Sequence, residues 1–85
     1  MLTQEMLNAP CRYRIVSEIL VSYDCDKYTT YGIQAVFERD ERLIVYSTVN
    51  DISTDRIQVA EMVEKFNAYE LSPIHLMDVI EDMLP

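Results

Sequence analysis

Two six-residue stretches decide the fold of this chain: Ile52-Ser53-Thr54-Asp55-Arg56-Ile57 and Leu71-Ser72-Pro73-Ile74-His75-Leu76. Each has the form of a helix start, because a serine at the N-cap can accept a hydrogen bond from a free backbone N–H group. In each, an apolar residue before the serine can reach another one five positions later and form a hydrophobic staple. Pro73 also suits the first position of a helix. The two starts predict a helical hairpin in the C-terminal third.

The residues that follow each start repeat apolar side chains at helical spacing. One helix is predicted over residues 54–67 and the other over residues 73–84. Their apolar stripes are Val59, Met62, Val63 and Phe66 in the first, and Leu76, Val79, Ile80 and Met83 in the second. Stripes at positions i, i+3, i+4 and i+7 lie on one face of a helix. Because the connection between the helices is short, they are expected to lie antiparallel on one layer.

The first half of the chain alternates apolar and polar residues, which is typical of strands with one buried face. Strands are predicted over residues 11–24, around residues 31–37 and over residues 42–49, with polar turns between them. Short turns return the chain antiparallel. The prediction is an α+β fold of order β-β-β-α-α, in which a three-stranded antiparallel meander carries a C-terminal helical hairpin on one sheet face.

Length and composition limit the kind of protein further. The 85 residues predict one small domain over residues 11–85, preceded by an arm or short helix at residues 1–10. A chain this short buries a modest share of its surface, so oligomerisation is the expected source of added stability. Cys11 and Cys25 are too few for a disulfide framework and favour reduced thiols in the cytoplasm. The start of the chain shows no secretory signal, and no apolar run reaches membrane-spanning length.

Charge is distributed unevenly along the chain. The formal net charge is −8, of which −2 lies in residues 1–50 and −6 in residues 51–85. An acidic helical end repels phosphate backbones and anionic lipid, which argues against nucleic acid and membranes as partners. Most such acidic faces only keep a protein soluble, although they can also attract a basic partner.

Two helices can cover one face of a three-stranded sheet but not both. If the odd-numbered strand residues face the helices, residue parity places five apolar side chains on the other face: Val16, Leu20, Val36, Ile44 and Tyr46. Such a group is larger than a soluble monomer usually exposes, so these residues form the candidate interface. Either a second copy covers them, directly or through pairing of edge strands, or the N-terminal arm does so with Leu2, Met6 and Leu7.

Catalytic motifs are absent from the sequence. It contains no glycine-rich phosphate loop, no nucleophile elbow and no metal-spaced set of cysteines and histidines. His75, Asp78 and Asp82 would share one helix face and could hold a divalent ion, but three ligands on one helix leave much of the coordination to water, so a solvated acidic face is the simpler explanation. We therefore expect no enzyme, no catalytic residue, no cofactor and no metal.

Three segments resemble a bacterial family of short uncharacterised proteins, domain of unknown function six-five-one-four. They are Tyr31-Gly32-Ile33, Asp51-Ile52-Ser53-Thr54-Asp55-Arg56, and the stretch from Leu71 to Asp82 that begins Leu71-Ser72-Pro73. The resemblance covers roughly residues 28–84, and the two helix starts are its most specific part. It implies a bacterial cytoplasmic protein without an established activity, and it assigns no catalytic residue.

The function expected from the sequence is a non-enzymatic protein–protein interaction module, adaptor or regulatory, acting as a homodimer or with another protein. The alternative is a domain that binds a small molecule or a divalent metal through His75, Asp78 and Asp82. The identity of a protein partner and the physiological role do not follow from these residues.

Overall fold

A computed structural model of the chain describes residues 11–83. The strands form one antiparallel sheet in the order β1-β2-β3. The elements are β1 (Cys11–Val21), β2 (Lys27–Arg39), β3 (Arg42–Ser53), α1 (Arg56–Ala68), a 3-10 turn (Pro73–His75) and α2 (Leu76–Met83). The predicted α+β fold, a meander followed by a helical hairpin, is confirmed. The predicted arm at residues 1–10, with Leu2, Met6 and Leu7, lies outside the described residues.

Two tight turns join the strands. In the first, the Ser22 N–H donates to the Asp26 carbonyl oxygen at 2.8 Å, and Cys25 adopts a φ of 67°. In the second, Asp40 and Glu41 have φ values of 52° and 64°, so only two residues link β2 to β3. Positive φ at both central residues matches the right-handed twist of the strands, and pairing therefore continues up to the turn.

The core lies between the sheet and the helices. Its buried members are Tyr13, Ile33, Ala35, Val59, Met62, Phe66, Leu76 and Ile80. The rings of Tyr13 and Phe66 meet edge to face with centroids 5.6 Å apart. The predicted stripes of both helices thus supply the helical half of the core, with Val63 and Val79 partly buried against it, while alternate residues of β1 and β2 supply the other half. Met83, predicted in the second stripe, is 39% exposed.

Asn67, at the end of α1, ties the helix to the outer edge of β1. Its side-chain oxygen accepts the Tyr13 N–H at 2.8 Å, and its side-chain nitrogen donates to the Tyr13 carbonyl at 3.0 Å. The Tyr13 hydroxyl donates to the Leu71 carbonyl oxygen at 2.6 Å. Burial raises the pKa of the Tyr13 hydroxyl, so this donor keeps its proton. Tyr13 therefore holds both ends of the connection between α1 and α2, Asn67 through its backbone and Leu71 through its hydroxyl.

The sheet is much longer than the helices. The 13 residues of β2 span roughly 43 Å, whereas the 13 residues of α1 span about 20 Å. Ile19, Val21 and Tyr23 have the parity of the core residues but are 69%, 62% and 103% exposed. The expectation that the whole odd-numbered row of β1 is covered is wrong at this end, because the helices do not reach it.

Two irregularities break the parity of β3. Ala35 pairs with Ser47 but Val36 pairs with Val45, so Tyr46 is an extra residue in a β-bulge. Tyr46 packs against the helix-side core. Beyond the bulge, Ile44 lies opposite Phe37, which shares the parity of Ile33 and Ala35. The prediction that Ile44 and Tyr46 lie on the face away from the helices is wrong, because one inserted residue reverses the alternation.

The second irregularity lies beside Gly32. Tyr31 pairs with Ser53 and Ile33 with Val49, so β3 has two more residues than β2 over this interval. Asp51 adopts a φ of 54° there, and its carboxylate accepts the Thr30 hydroxyl at 2.6 Å. A Cβ atom at position 32 would lie 2.2 Å from the Val49 carbonyl oxygen. Glycine at this position allows the close approach of the two backbones.

The helix starts differ from the predicted caps. The N-cap of α1 is Asp55, whose carboxylate accepts from the N–H groups of Ile57 at 3.0 Å and Gln58 at 3.4 Å. Ser53 still belongs to β3, and its hydroxyl accepts the Asp55 N–H instead. Ile57 is 69% exposed, so the predicted staple with Ile52 is wrong.

At the second start, Ser72 precedes the 3-10 turn, and Pro73 occupies the first helical position as predicted. The side chain of Ser72 makes no capping hydrogen bond. Leu71 and Leu76 both belong to the core, and the α-helix itself begins only at Leu76.

Candidate functional site: the open face and the distal hairpin

The open face is defined here as the face of the sheet turned away from the helices. Of the five predicted interface residues it carries three, namely Val16, Leu20 and Val36. Val16 and Leu20 are partly buried, and Val36 is only 5% exposed. Tyr46 and Ile44 belong to the helix side for the reason given above. The predicted five-residue group is therefore not assembled on one face.

A row of polar side chains crosses the middle of the open face. Arg14, Gln34 and Thr48 lie opposite one another on the three strands. The Arg14 Nε donates to the Gln34 Oε1 at 2.7 Å, and the Gln34 Nε2 donates to the Thr48 Oγ1 at 3.0 Å. Cross-strand pairs of this kind fix strand register, and this row divides the apolar residues of the face into two parts.

The part near the β2–β3 turn contains two residues that the sequence analysis missed. Leu43 and Val45 lie opposite Glu38 and Val36, and they are 63% and 48% exposed. They reach this face because the bulge at Tyr46 reverses the parity of the strand. The sequence carries no turn residue at that bulge, so alternation alone assigns them to the wrong side.

The part beyond the polar row belongs to the distal hairpin, defined here as residues 18–30. On the open side, Leu20 lies opposite Tyr28, which is 39% exposed. On the helix side, Ile19 and Val21 are exposed because the helices end short of them. A two-stranded ribbon with apolar side chains on both faces is marginally stable in water by itself. This hairpin therefore exposes apolar side chains on both of its faces, among them Ile19, Val21 and Tyr28.

The charges of the open face nearly balance. Arg12, Arg14, Glu18 and Glu38 share its parity, and the Asp51 carboxylate adds one negative charge where it accepts the hydroxyl of Thr30, which has the same parity. The excess of acidic residues lies in the helical half, where residues 51–85 carry −6. A second copy can thus approach the sheet without meeting the acidic helices.

The proposed metal ligands do not form a cluster. His75 lies in the 3-10 turn, while Asp78 and Asp82 lie in α2, so the three do not share one continuous helix. Within residues 11–83, no three histidine, cysteine or carboxylate side chains are grouped as a metal site requires.

The two cysteines are far apart in the fold. Cys11 is partly buried beside the core, and burial raises the pKa of its thiol. Cys25 lies exposed in the turn of the distal hairpin. A raised pKa disfavours the thiolate, which is the nucleophilic form of a cysteine.

Fold and surface together define a small α+β domain with a helical hairpin on one sheet face and an exposed sheet end. The chain belongs to the family of unknown function DUF6514, whose model matches residues 2–85. The match confirms the resemblance stated above and extends it to nearly the whole sequence. No curated protein matches the chain, and no solved structure does. None of the helices within residues 11–83 combines the length and the apolar character needed to cross a membrane.

Proposed function

We propose that this chain is a non-enzymatic protein–protein interaction module of the cytoplasm, adaptor or regulatory, that acts as a homodimer. The observation that carries the proposal is the mismatch between a long sheet and a short helical layer. It exposes apolar side chains on both faces of the distal hairpin, most of all Ile19, Val21 and Tyr23.

The size of this exposed surface supports association. A fully exposed tyrosine alone carries roughly 150–250 Å² of surface, and Ile19, Val21 and Tyr28 add to it. Apolar patches of several hundred Å² on a soluble protein usually mark an interaction site. Within residues 11–83, the histidine, cysteine and carboxylate side chains form no group of three that could hold a metal ion, which favours the interaction module over the metal-binding alternative.

The open face supports the same proposal in a second way. Val16 and Leu20 continue the apolar surface of the distal hairpin, while Leu43 and Val45 extend the face toward the other end. Its nearly neutral, slightly acidic charge suits contact with another protein better than contact with nucleic acid or an anionic membrane.

Native mass across a dilution series tests the homodimer. We expect light scattering to give the mass of two chains at about 100 µM and dissociation only at low micromolar concentration or below. The double variant Val21→Ser with Tyr23→Ser removes exposed apolar area from the hairpin and is expected to weaken the dimer.

The matched control is Tyr69→Ser with Ile74→Ser. These side chains are 82% and 52% exposed but lie around the helix connection. The control is expected to dimerise like the wild type. A wild-type mass of one chain at every concentration contradicts the homodimer.

A further inference from the structure

The two edges of the sheet differ in how open they are to another strand. The pairing of β3 is interrupted twice, at the Tyr46 bulge and beside Gly32, and such bulges disfavour pairing with a further strand. In contrast, β1 pairs with β2 without irregularity through all eleven residues, from Cys11 to Val21. The outer edge of β1 is therefore the regular one.

The link to Asn67 shows which groups of β1 point outward. Both backbone groups of Tyr13 bind Asn67, so they do not bind Ala35, which lies opposite Tyr13 on β2. Because backbone groups alternate along an antiparallel strand, those of Ile15, Ser17, Ile19 and Val21 also point outward. Among residues 11–83, no backbone or side-chain group beyond the sheet bonds to these four.

The residues whose backbone groups point outward, Ile15, Ser17, Ile19 and Val21, carry no charge, and the strand contains neither a proline nor a bulge. Its charged side chains, Arg12, Arg14 and Glu18, alternate with these residues. The side chain of Asn67 occupies the outer edge of β1 at Tyr13 and at no other residue of the strand. The open part of the edge runs alongside the distal hairpin, where Ile19 and Val21 are most exposed.

We propose that two copies of this chain pair antiparallel through the outer edge of β1, with Ile19 of one copy opposite Ile19 of the other. The pairing joins two three-stranded sheets into one of six strands around a two-fold axis. This inference rests on the proposed homodimer and specifies its contact.

A two-fold pairing near the middle of the open edge can be centred on Ser17, Glu18 or Ile19. The first two of these registers are unfavourable. Centring on Ser17 places Val21 opposite Tyr13, whose backbone groups Asn67 already holds. Centring on Glu18 places two like charges directly opposite each other, which destabilises a strand pair. Centring on Ile19 avoids both, and it pairs Ser17 with Val21 and places Glu18 opposite Leu20.

The Ile19-centred pair also covers the exposed apolar residues. The two Ile19 side chains meet at the axis, and Tyr23 of each copy lies beside Ile15 of the other. A specific interface buries at least about 1,000 Å² in total, and the exposed side chains of both distal hairpins lie within or beside this contact. Tyr13 of one copy lies about 40 Å along the sheet from Tyr13 of the other, so the acidic helices stay far apart.

Cross-linking at the axis tests the register. In a hydrogen-bonded antiparallel pair the Cα atoms are about 5.5 Å apart, a distance that a disulfide can bridge. With Cys11→Ala and Cys25→Ser as the background, Ile19→Cys is expected to form a disulfide-linked dimer under mild oxidation. The control Leu43→Cys, at a site 63% exposed on β3, is expected to stay uncrosslinked.

A charge at the same position gives a second readout. Ile19→Lys is expected to raise the dissociation constant of the dimer at least about tenfold, because it places two like charges at the axis. Leu43→Lys, on the opposite edge, is expected to change it little. Circular dichroism should show the same folded spectrum for both variants, since both side chains are more than half exposed.

The outcomes separate the two proposals. A wild type that is monomeric throughout overturns the homodimer and the edge contact together. A wild type that dimerises while Ile19→Cys fails to cross-link and Ile19→Lys still dimerises overturns the edge contact alone.

Discussion

Gly32 controls how β3 approaches β2. It is the only glycine in the chain, and it lies beside the interval in which β3 carries two more residues than β2. A methyl group at position 32 would approach the Val49 carbonyl oxygen to 2.2 Å and the Asn50 Cα to 2.9 Å. Both neighbours are backbone atoms, so no side-chain rotation relieves the contact.

We expect Gly32→Ala to lower the free energy of unfolding by about 2–3 kcal/mol, the cost of forcing extra volume into a close-packed site. Urea denaturation measures the change, and Ser17→Ala at an exposed position of β1 serves as the control. Unchanged stability in Gly32→Ala would mean that β3 can move away from β2 without loss of packing.

Tyr13 gives the fold a dependence on alkaline pH. Burial, and then its neighbour Cys11, raise the pKa of its hydroxyl above the ordinary value of 10.0. The folded state therefore keeps a proton that the unfolded chain loses, so the contribution of Tyr13 is complete below pH 10 and declines as the pH rises further.

Tyr13→Phe is expected to lower stability at neutral pH by about 0.5–1.5 kcal/mol, through loss of the bond to Leu71, and to flatten the alkaline decline. Thermal unfolding between pH 7 and strongly alkaline pH measures both effects. The control is Tyr69→Phe, since Tyr69 is 82% exposed and makes no comparable contact. If stability falls equally steeply with pH in Tyr13→Phe, the alkaline decline is caused by groups other than Tyr13.

At the scale of single residues, the sequence predicts side chains well where alternation is unbroken. Val16, Leu20 and Val36 lie on the open face as parity predicts. Tyr46 and Ile44 do not, because the Tyr46 bulge contains neither glycine nor proline to mark it. The extra residue is visible only in the pairing between β2 and β3.

Among the elements, helix α1 begins at Arg56 because β3 ends late. Ser53, Thr54 and Asp55 are all suitable N-cap residues, so local sequence does not choose among them. The choice is made by tertiary pairing: Tyr31 of β2 pairs with Ser53, which keeps Ser53 in the sheet and leaves the cap to Asp55. The three strands and the two α-helices could thus be predicted from periodicity, whereas the 3-10 turn at Pro73–His75 was predicted as part of the second helix, and the start of α1 depends on a contact between strands.

The two helix starts should consequently respond differently to mutation. Asp55→Ala removes the acceptor of the Ile57 and Gln58 N–H groups and is expected to cost about 1 kcal/mol of stability. Ser72→Ala removes no capping bond and is expected to cost less than about 0.5 kcal/mol. Thermal denaturation of the two variants under the same conditions measures the difference. A larger loss in Ser72→Ala than in Asp55→Ala would show that the second start is capped after all.

At the scale of the whole molecule, the apolar and the acidic surfaces lie at opposite ends of the sheet. The strands extend well past the helices, so the apolar distal hairpin lies at one end and the acidic helices lie over the other. The distribution of charged residues along the sequence predicts the acidic helical half, and the apolar stripes at helical spacing predict the two helices. The exposed end could not be predicted, because it depends on strand lengths that the turns at Cys25 and Asp40 determine.

This separation predicts how salt affects the dimer. Each chain carries a net charge of −8, so two copies repel each other at low ionic strength. At about 10 mM salt the screening length is about 30 Å, close to the 40 Å that separates the helical ends in the edge-paired dimer, while at about 100 mM it is about 10 Å. We therefore expect the dissociation constant to fall a few-fold between these concentrations and then to level off. Sedimentation equilibrium across a sodium chloride series measures it. A dimer that weakens steadily with salt would instead be held by attraction between opposite charges, and the apolar distal hairpin would not be its principal contact.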